Sequence, residues 1–257
     1  MITKENFYKI FPFQEEESFK SQIYEKYLLA ARNNQYSPIK FYLSPKYWVY
    51  LKDFCERENM PYLCEGFFEE AERKLFSFNY YPGDNVQGTV IAIKNKSKFR
   101  ALYHKDYLGS ILGLGIDRNT IGDIIVQNDV AYVAVLKDIL PFIQNNLLTI
   151  GKNPCEIVPV DDFNKLPAAE FEEFNIIVTS RRLDNMVSAL GSFSRGEAVK
   201  YIDRGLVLVN YLEAKEKSLM VKEGSTISIR GKGKFKVFNT VNNTKSGRSV
   251  IRINKFI

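Results

Sequence analysis

The chain contains a single histidine, and this scarcity narrows the chemistry more than any abundant residue does. Nucleophile triads and histidine-rich metal sites would have to be assembled around His104 alone, which removes many hydrolases and metalloenzymes. Cysteine is also sparse. Cys55, Cys64 and Cys155 are odd in number and contain no close pair, so neither a disulfide framework nor a zinc ribbon is indicated, and buried reduced thiols are expected. No apolar run approaches the roughly 20 residues of a membrane-spanning helix, and residues 1–6 lack the hydrophobic region of a signal peptide. A cytoplasmic protein with no membrane partner is expected.

Against these absences stands an ordinary globular composition, 45% hydrophobic and 26% charged over 257 residues. That length holds two or three domains of about 100–150 residues or fewer. The charge is unevenly placed. Residues 175–257 carry 16 Lys and Arg against 6 Asp and Glu, whereas residues 1–174 carry 20 against 24. A basic module on a mildly acidic body points to a polyanionic partner, with nucleic acid ahead of an anionic membrane surface.

The hydrophobic pattern gives an α+β fold class in three parts. Residues 1–84 read as an N-terminal α/β domain. It has a helix over 15–32 with Phe19, Ile23, Tyr24, Tyr27 and Leu28 at helical spacing, and a second helix after Pro45 with Tyr47, Trp48, Leu51, Phe54 and Cys55 on one side. Aromatics this dense read as core. The charged stretch 69–74 reads as a solvated helical turn or a partner-facing surface. Residues 85–165 alternate strand and helix signals: strand 86–93, helix 104–114 with Tyr107, Leu108, Ile111 and Leu112 inward, strands 120–126 and 130–136 around a Gln127-Asn128-Asp129 turn, helix 138–146, strand 156–160. The order is βαββαβ, as in ferredoxin-like and RNA-recognition-motif domains. The aromatic stacking signature of an RNA-recognition motif is missing from its strands. Residues 166–178 read as the linker into the basic module of residues 179–257.

That module opens on Ser180-Arg181-Arg182-Leu183-Asp184, after which Leu183, Met186, Val187 and Leu190 repeat at helical spacing until Gly191. Ser194 with Glu197 three residues later is a capping box, so a second helix runs from Arg195 to Gly205. Arginines thus sit at two helix starts, where unpaired backbone N–H groups favour a phosphate. A small sheet follows, with a basic glycine turn at 231–234. The candidate RNA-binding residues are Arg181, Arg182, Asp184, Ser194, Arg195, Lys200, Arg204, Arg230, Lys232 and Lys234.

Four motifs in order, Ser-x-Arg-Leu-Asp at 180–184, Ser-Arg-x-x-Ala at 194–198, Gly-x-Val-x-Val-Asn at 205–210 and Arg-Gly-x-Gly-x-Phe at 230–235, resemble the S4 RNA-binding domain over residues 179–236. Two positions depart from the pattern: Tyr211 stands where glycine often follows the asparagine, and Ser225 where Gly-Asp is common. The domain order, the Ala-Glu-Arg-Lys of residues 71–74 and the run 112–124 (Leu-Gly-Leu-Gly-Ile-Asp-Arg-Asn-Thr-Ile-Gly-Asp-Ile) together resemble the bacterial YlmH family across nearly the whole chain. The resemblance implies a ribosome-associated RNA-binding protein, and a monomer is expected. It would engage ribosomal RNA and tRNA on the large ribosomal subunit, with peptidyl-tRNA, in the rescue of stalled translation.

An RNA-modifying enzyme is the main rival, because modules of this type are fused to pseudouridine synthases and RNA methyltransferases, and Arg182-Leu183-Asp184 mimics a synthase's Arg-Leu-Asp. Asp184 reads instead as a first-turn carboxylate favoured by the helix dipole. Gly113-Leu114-Gly115 follows a helix and reads as a turn, not as a cofactor loop between strand and helix. Asp161-Asp162 reads as acidic linker. No catalytic residue, metal or cofactor is therefore expected. A regulatory adaptor that tethers weakly to RNA is the third class.

Overall fold

The computed structural model describes residues 2–13, 17–97 and 101–256. It divides into two compact units, Met1–Ala168 and Ala169–Ile257.

The first unit opens with α1 (Lys4–Tyr8), α2 (Glu17–Asn33) and α3 (Pro45–Arg57), together with a three-stranded antiparallel sheet of β1 (Ser37–Pro38), β2 (Tyr62–Glu65) and β3 (Leu75–Phe78). The expected start of the first long helix at Glu15 lies outside the described residues. Pro45 occupies the first turn of α3, where its missing N–H costs nothing. The dense aromatics are core, as their spacing indicates: Phe7, Tyr27 and Phe54 meet at centroid distances of 5.1–5.4 Å. Trp48 is buried, with its indole N–H donating to the Glu72 carbonyl at 2.8 Å. Burial pushes the Cys55 thiol up to about 12 and Cys64 up to about 11, so both are poor nucleophiles.

A five-stranded antiparallel sheet follows, built from β4 (Gly88–Asn95), β5 (Ile121–Gln127), β6 (Val130–Leu136), β7 (Thr149–Ile150) and β8 (Asn153–Val160) in the order β5-β6-β4-β8-β7. With α4 (His104–Leu112) after β4 and α5 (Leu140–Asn146) after β6, the main strands have the βαββαβ arrangement. The β5–β6 turn places Asn128 and Asp129 at φ of 51° and 60°, the left-handed pair a tight hairpin requires. Alternation along β4 and β6 splits the apolar residues between two faces. Ile91, Ile93, Val133 and Val135 pack with Tyr107, Ile111 and Ile143 of the helices. Val90, Ala134 and Leu136 face Tyr42, Phe68, Ala71 and Leu75.

The N-terminal layer therefore covers part of one sheet face, and the boundary expected near residue 84 lies inside one compact unit. Tyr42 is the bolt. Its ring enters a slot floored by Gly88 and Gly122, where a Cβ would come within 2.8 Å of it at either position. Its hydroxyl donates to the Val135 carbonyl at 3.3 Å. Arg73, expected in a solvated helical turn or on a partner-facing surface, is turned inward instead. Residues 69–74 form no helix, and the Arg73 guanidinium donates to the carbonyls of Ile121 (3.0 Å) and Tyr42 (3.3 Å) and to Asn119 Oδ1 (3.1 Å). Its backbone N–H donates to Asp123, whose carboxyl is pushed up by burial.

The second unit is a six-stranded antiparallel sheet in the order β11-β10-β12-β13-β14-β9, with α6 (Leu183–Gly191) and α7 (Arg195–Asp203) on one face. Its strands are β9 (Phe171–Val178), β10 (Val207–Val209), β11 (Leu212–Glu213), β12 (Thr226–Ile229), β13 (Gly233–Asn243) and β14 (Ser249–Phe256). Most of the expected linker is thus strand: β9 pairs with β14 along its whole length, because Ile176 and Val178 add to the core beneath α6. Leu183, Met186, Val187, Leu190, Ala198 and Ile202 close that core from above. Among the described residues no helix is long and apolar enough to cross a membrane, and no cluster of His, Cys, Asp and Glu could hold a metal.

The two-glycine slot is directly testable. Gly122→Ala should lower stability by about 1–3 kcal/mol through overpacking against Tyr42 and Ala134. Gly109→Ala, in α4 with open space around the new methyl, should raise it by up to about 1 kcal/mol. Denaturant unfolding of both variants checks the contrast, and equal shifts would contradict the slot.

Candidate nucleic-acid interface

After β9 the chain turns through Thr179 and Ser180 into α6, and residues 181–184 run antiparallel to 217–221. Val221 N–H donates to the Arg181 carbonyl (2.9 Å), Leu183 N–H to Leu219 (2.8 Å) and Asp184 N–H to Lys217 (3.1 Å). This pairing corrects one expectation. The first backbone donors of α6 are already taken by carbonyls, so this helix start offers no bare N–H cluster to a phosphate. Arg181 is also spoken for: half-buried, it donates to the Phe238 carbonyl at 2.6 Å and holds β13 to the start of α6.

Arg182 and Arg195 converge on Asp184. Arg182 engages it through Nε and Nη2, both at 3.2 Å, and Arg195 through Nε at 3.0 Å and Nη2 at 2.7 Å. Asn185 N–H adds a backbone donor at 3.0 Å. The Asp184 side chain is 4% exposed, whereas those of Arg182 and Arg195 are 38% and 62% exposed. Burial works against ionisation here, but the hydrogen bonds and charges of the two guanidiniums outweigh it and hold the Asp184 carboxyl below the usual range. Asp184, expected at the RNA-facing surface, lies beneath the arginines and fixes them. Two cations on one anion leave a net positive charge at the surface, with N–H groups beyond those used on Asp184.

The turn between the helices brings the glycine turn alongside. Ser192, at φ 54°, takes the left-handed position that ends α6, where Gly191 was expected to act. Gly191 serves a different purpose: a Cβ there would lie 2.2 Å from the Phe193 ring, which folds back across it. Phe193 then packs on Tyr201 at 4.3 Å, and Lys232 of the glycine turn sits 4.8 Å above the Phe193 ring. Ser194 caps α7 by accepting from Glu197 N–H at 3.2 Å, which uses one lone pair of its hydroxyl oxygen. Lys200, Arg204 and Arg230 are exposed, with Arg204 at the far end of α7 from Arg195.

Lys234 departs from the expected ring of cations. Its neighbour Phe235 is buried in the core beneath the helices, so strand alternation turns Lys234 to the other face of the sheet, where its Nζ lies 3.9 Å from the Phe256 centroid. The structure thus joins Arg182 and Arg195 and brings Lys232 against Phe193 of the interhelical turn, while it sets Arg181 and Lys234 elsewhere. The sequence reading missed Phe193, Tyr201 and the 217–221 segment. The small Gly191-Ser192 pair before an aromatic was the one signal that could have marked Phe193.

Asp184→Asn keeps the shape and removes the charge that both arginines share. Near neutral pH it should lower the thermal midpoint of this unit by roughly 5 °C. Because the folded carboxyl is held low, the native advantage is complete above the ordinary Asp range and disappears as pH falls through the folded value. Unfolding curves of the two proteins should therefore converge only in strong acid. A gap that persists there would contradict the ionic origin.

Comparison with known proteins finds relatives of both parts of the chain. The family described as "Putative RNA-binding domain in YlmH" matches residues 84–162, and the S4 domain matches residues 181–227. The ribosome-associated protein quality control protein P2 of Bacillus subtilis (strain 168) is 27% identical over 213 residues, which cover 80% of this chain and 82% of that protein. Among solved structures, the cell division protein ylmH from Streptococcus pneumoniae aligns with a TM-score of 0.45 at 20% identity, over 60% of this chain and 99% of that one. Both domain models matched in this order, and a relative aligned over four-fifths of its length, support placing the chain in the YlmH family of S4-domain proteins.

Proposed function

We propose that this protein is a non-catalytic RNA-binding protein that engages structured RNA, ribosomal RNA and tRNA, through its C-terminal unit. In this reading it acts as a cytoplasmic monomer on the large ribosomal subunit beside peptidyl-tRNA, in the rescue of stalled translation. The observation that carries the proposal is the arginine pair over Asp184: two forked donors, held in place and exposed at a helix–helix turn, within the S4 match. Phosphate oxygens are the acceptors such forks fit, and a pair of this kind positions RNA without reading its bases. The B. subtilis relative, named for ribosome-associated quality control, supports the setting.

The enzyme reading is weakened by the same geometry. An Asp184 carboxylate engaged by two guanidiniums and 4% exposed is badly placed to meet a base. Gly113 caps α4, and Gly115, at φ 81°, completes the turn after it, so this glycine pair serves a turn and not a cofactor phosphate in this reading.

Binding of the full chain to ribosomal RNA should fall steeply with salt, as counterion release requires. Lys232→Ala, at the exposed turn, should weaken binding across unrelated sequences and make the salt slope shallower by about one. Arg195→Ala should do the same when measured below the unfolding midpoint, since that residue also steadies Asp184. Wild-type affinity in both variants over a range of salt would overturn the assignment.

A further inference from the structure

The face of the C-terminal sheet opposite the helices has a composition that the helix–turn site does not explain. On β13, Phe235 and Val237 are buried beneath α6 and α7, so Lys234, Lys236 and Phe238 are turned to the other side; on β14, Ile251 and Ile253 are buried, which turns Arg252, Asn254 and Phe256 the same way. The ladder sets Lys236 opposite Asn254. A bulge after Val237 brings the Phe238 ring to 4.9 Å from the Arg252 guanidinium, and Lys234 lies 3.9 Å from the centre of the Phe256 ring. At the edge of the same face Phe171 meets Phe256 at 4.8 Å and Ile177 is 54% exposed, while Glu173, paired opposite Asn254, sets one exposed carboxylate against the three cations.

On the same face of β14, two buried polar atoms, Arg252 Nε and Asn254 Oδ1, have no hydrogen-bond partner among the described residues. A donor and an acceptor left unmade side by side on one strand are costly, and the Phe238 ring over Arg252 helps to close them off from water. We propose that this sheet face is a second RNA-binding surface, which takes an unpaired, single-stranded segment. Phe238 and Phe256 offer stacking platforms to bases, and Lys234, Lys236 and Arg252 supply the positive charge that tracks a phosphate backbone. An open sheet admits splayed bases and has no projecting element to enter a duplex groove, which sets its ligand apart from that of the helix–turn site. The surface extends the RNA-binding reading and is separable from it.

Full-length protein is titrated with a fluorescein-labelled short oligouridine and, separately, with a labelled ribosomal RNA hairpin. The double variant Phe238→Leu with Lys236→Gln should lose about tenfold in oligouridine affinity and keep its hairpin affinity. Arg195→Ala should show the reverse order of losses. A second variant guards against misfolding: Phe238→Trp should retain binding, and its emission should be quenched when unlabelled oligouridine saturates it. The native Trp48 is buried in the other unit and supplies only a constant background. Failure of the wild type to bind oligouridine, equal affinity of wild type and double variant, equal loss of both ligands in the double variant, or unquenched emission from the Phe238→Trp variant would each overturn the surface, as would a face that holds a protein partner instead. Loss of hairpin binding in Arg195→Ala bears only on the helix–turn reading.

Discussion

A carboxylate buried beneath two guanidiniums organises the functional end of this protein. Asp184 would be costly to bury alone, and its ionised form survives because Arg182 and Arg195 each meet it through two N–H groups. The arrangement ties the start of α6 to the start of α7 and sets two long, otherwise mobile side chains in one place. Much of the local architecture serves that placement. The 217–221 segment fixes residues 181–184, Arg181 anchors them to β13, and Gly191 lets Phe193 fold back to meet Lys232. In the proposed function, ordering entropy that the arginines would otherwise lose on meeting RNA is lost during folding.

The first unit solves a different problem with the same economy of means. Its βαββαβ sheet has two apolar faces, and only one is covered by α4 and α5. The N-terminal layer covers part of the other, so Val90, Ala134 and Leu136 sit under Tyr42 and Leu75 and cannot serve as a stacking platform in the manner of an RNA-recognition motif. The missing aromatic signature in those strands agrees with that burial. Arg73 and Asp123, which fall in the two stretches that resemble the YlmH family, are explained here by the clamp between layers.

Local patterning revealed much of this in advance, and its failures share a cause. Helical spacing marked α3 and α6, and the Asn128-Asp129 pair marked the β5–β6 turn, because each signal is carried by neighbouring residues. The strand β9 was hidden: Glu172, Glu173 and Asn175 interrupt its apolar residues, and only pairing with β14, more than seventy residues later, makes it a strand. Arg73 and Arg181 looked like surface charges for a similar reason, since their acceptors lie 31 to 57 residues away in sequence. Asp184 was legible as a first-turn carboxylate but not as the seat of Arg195, eleven residues on. Lys234 was misplaced by grouping the lysines of one turn together, when alternation sends it to the opposite face.

The central claim is that Asp184 aids RNA binding by holding the arginines, although it carries the same charge as RNA. The affinity of Asp184→Asn for a ribosomal RNA hairpin, measured well below the unfolding midpoint, tests it most directly. General electrostatics predicts tighter binding, because the substitution removes a negative charge from the interface. Preorganisation predicts weaker binding, by severalfold, as the two forks lose their common seat. Weaker binding is the result this account requires; affinity equal to or above that of the wild type would contradict it.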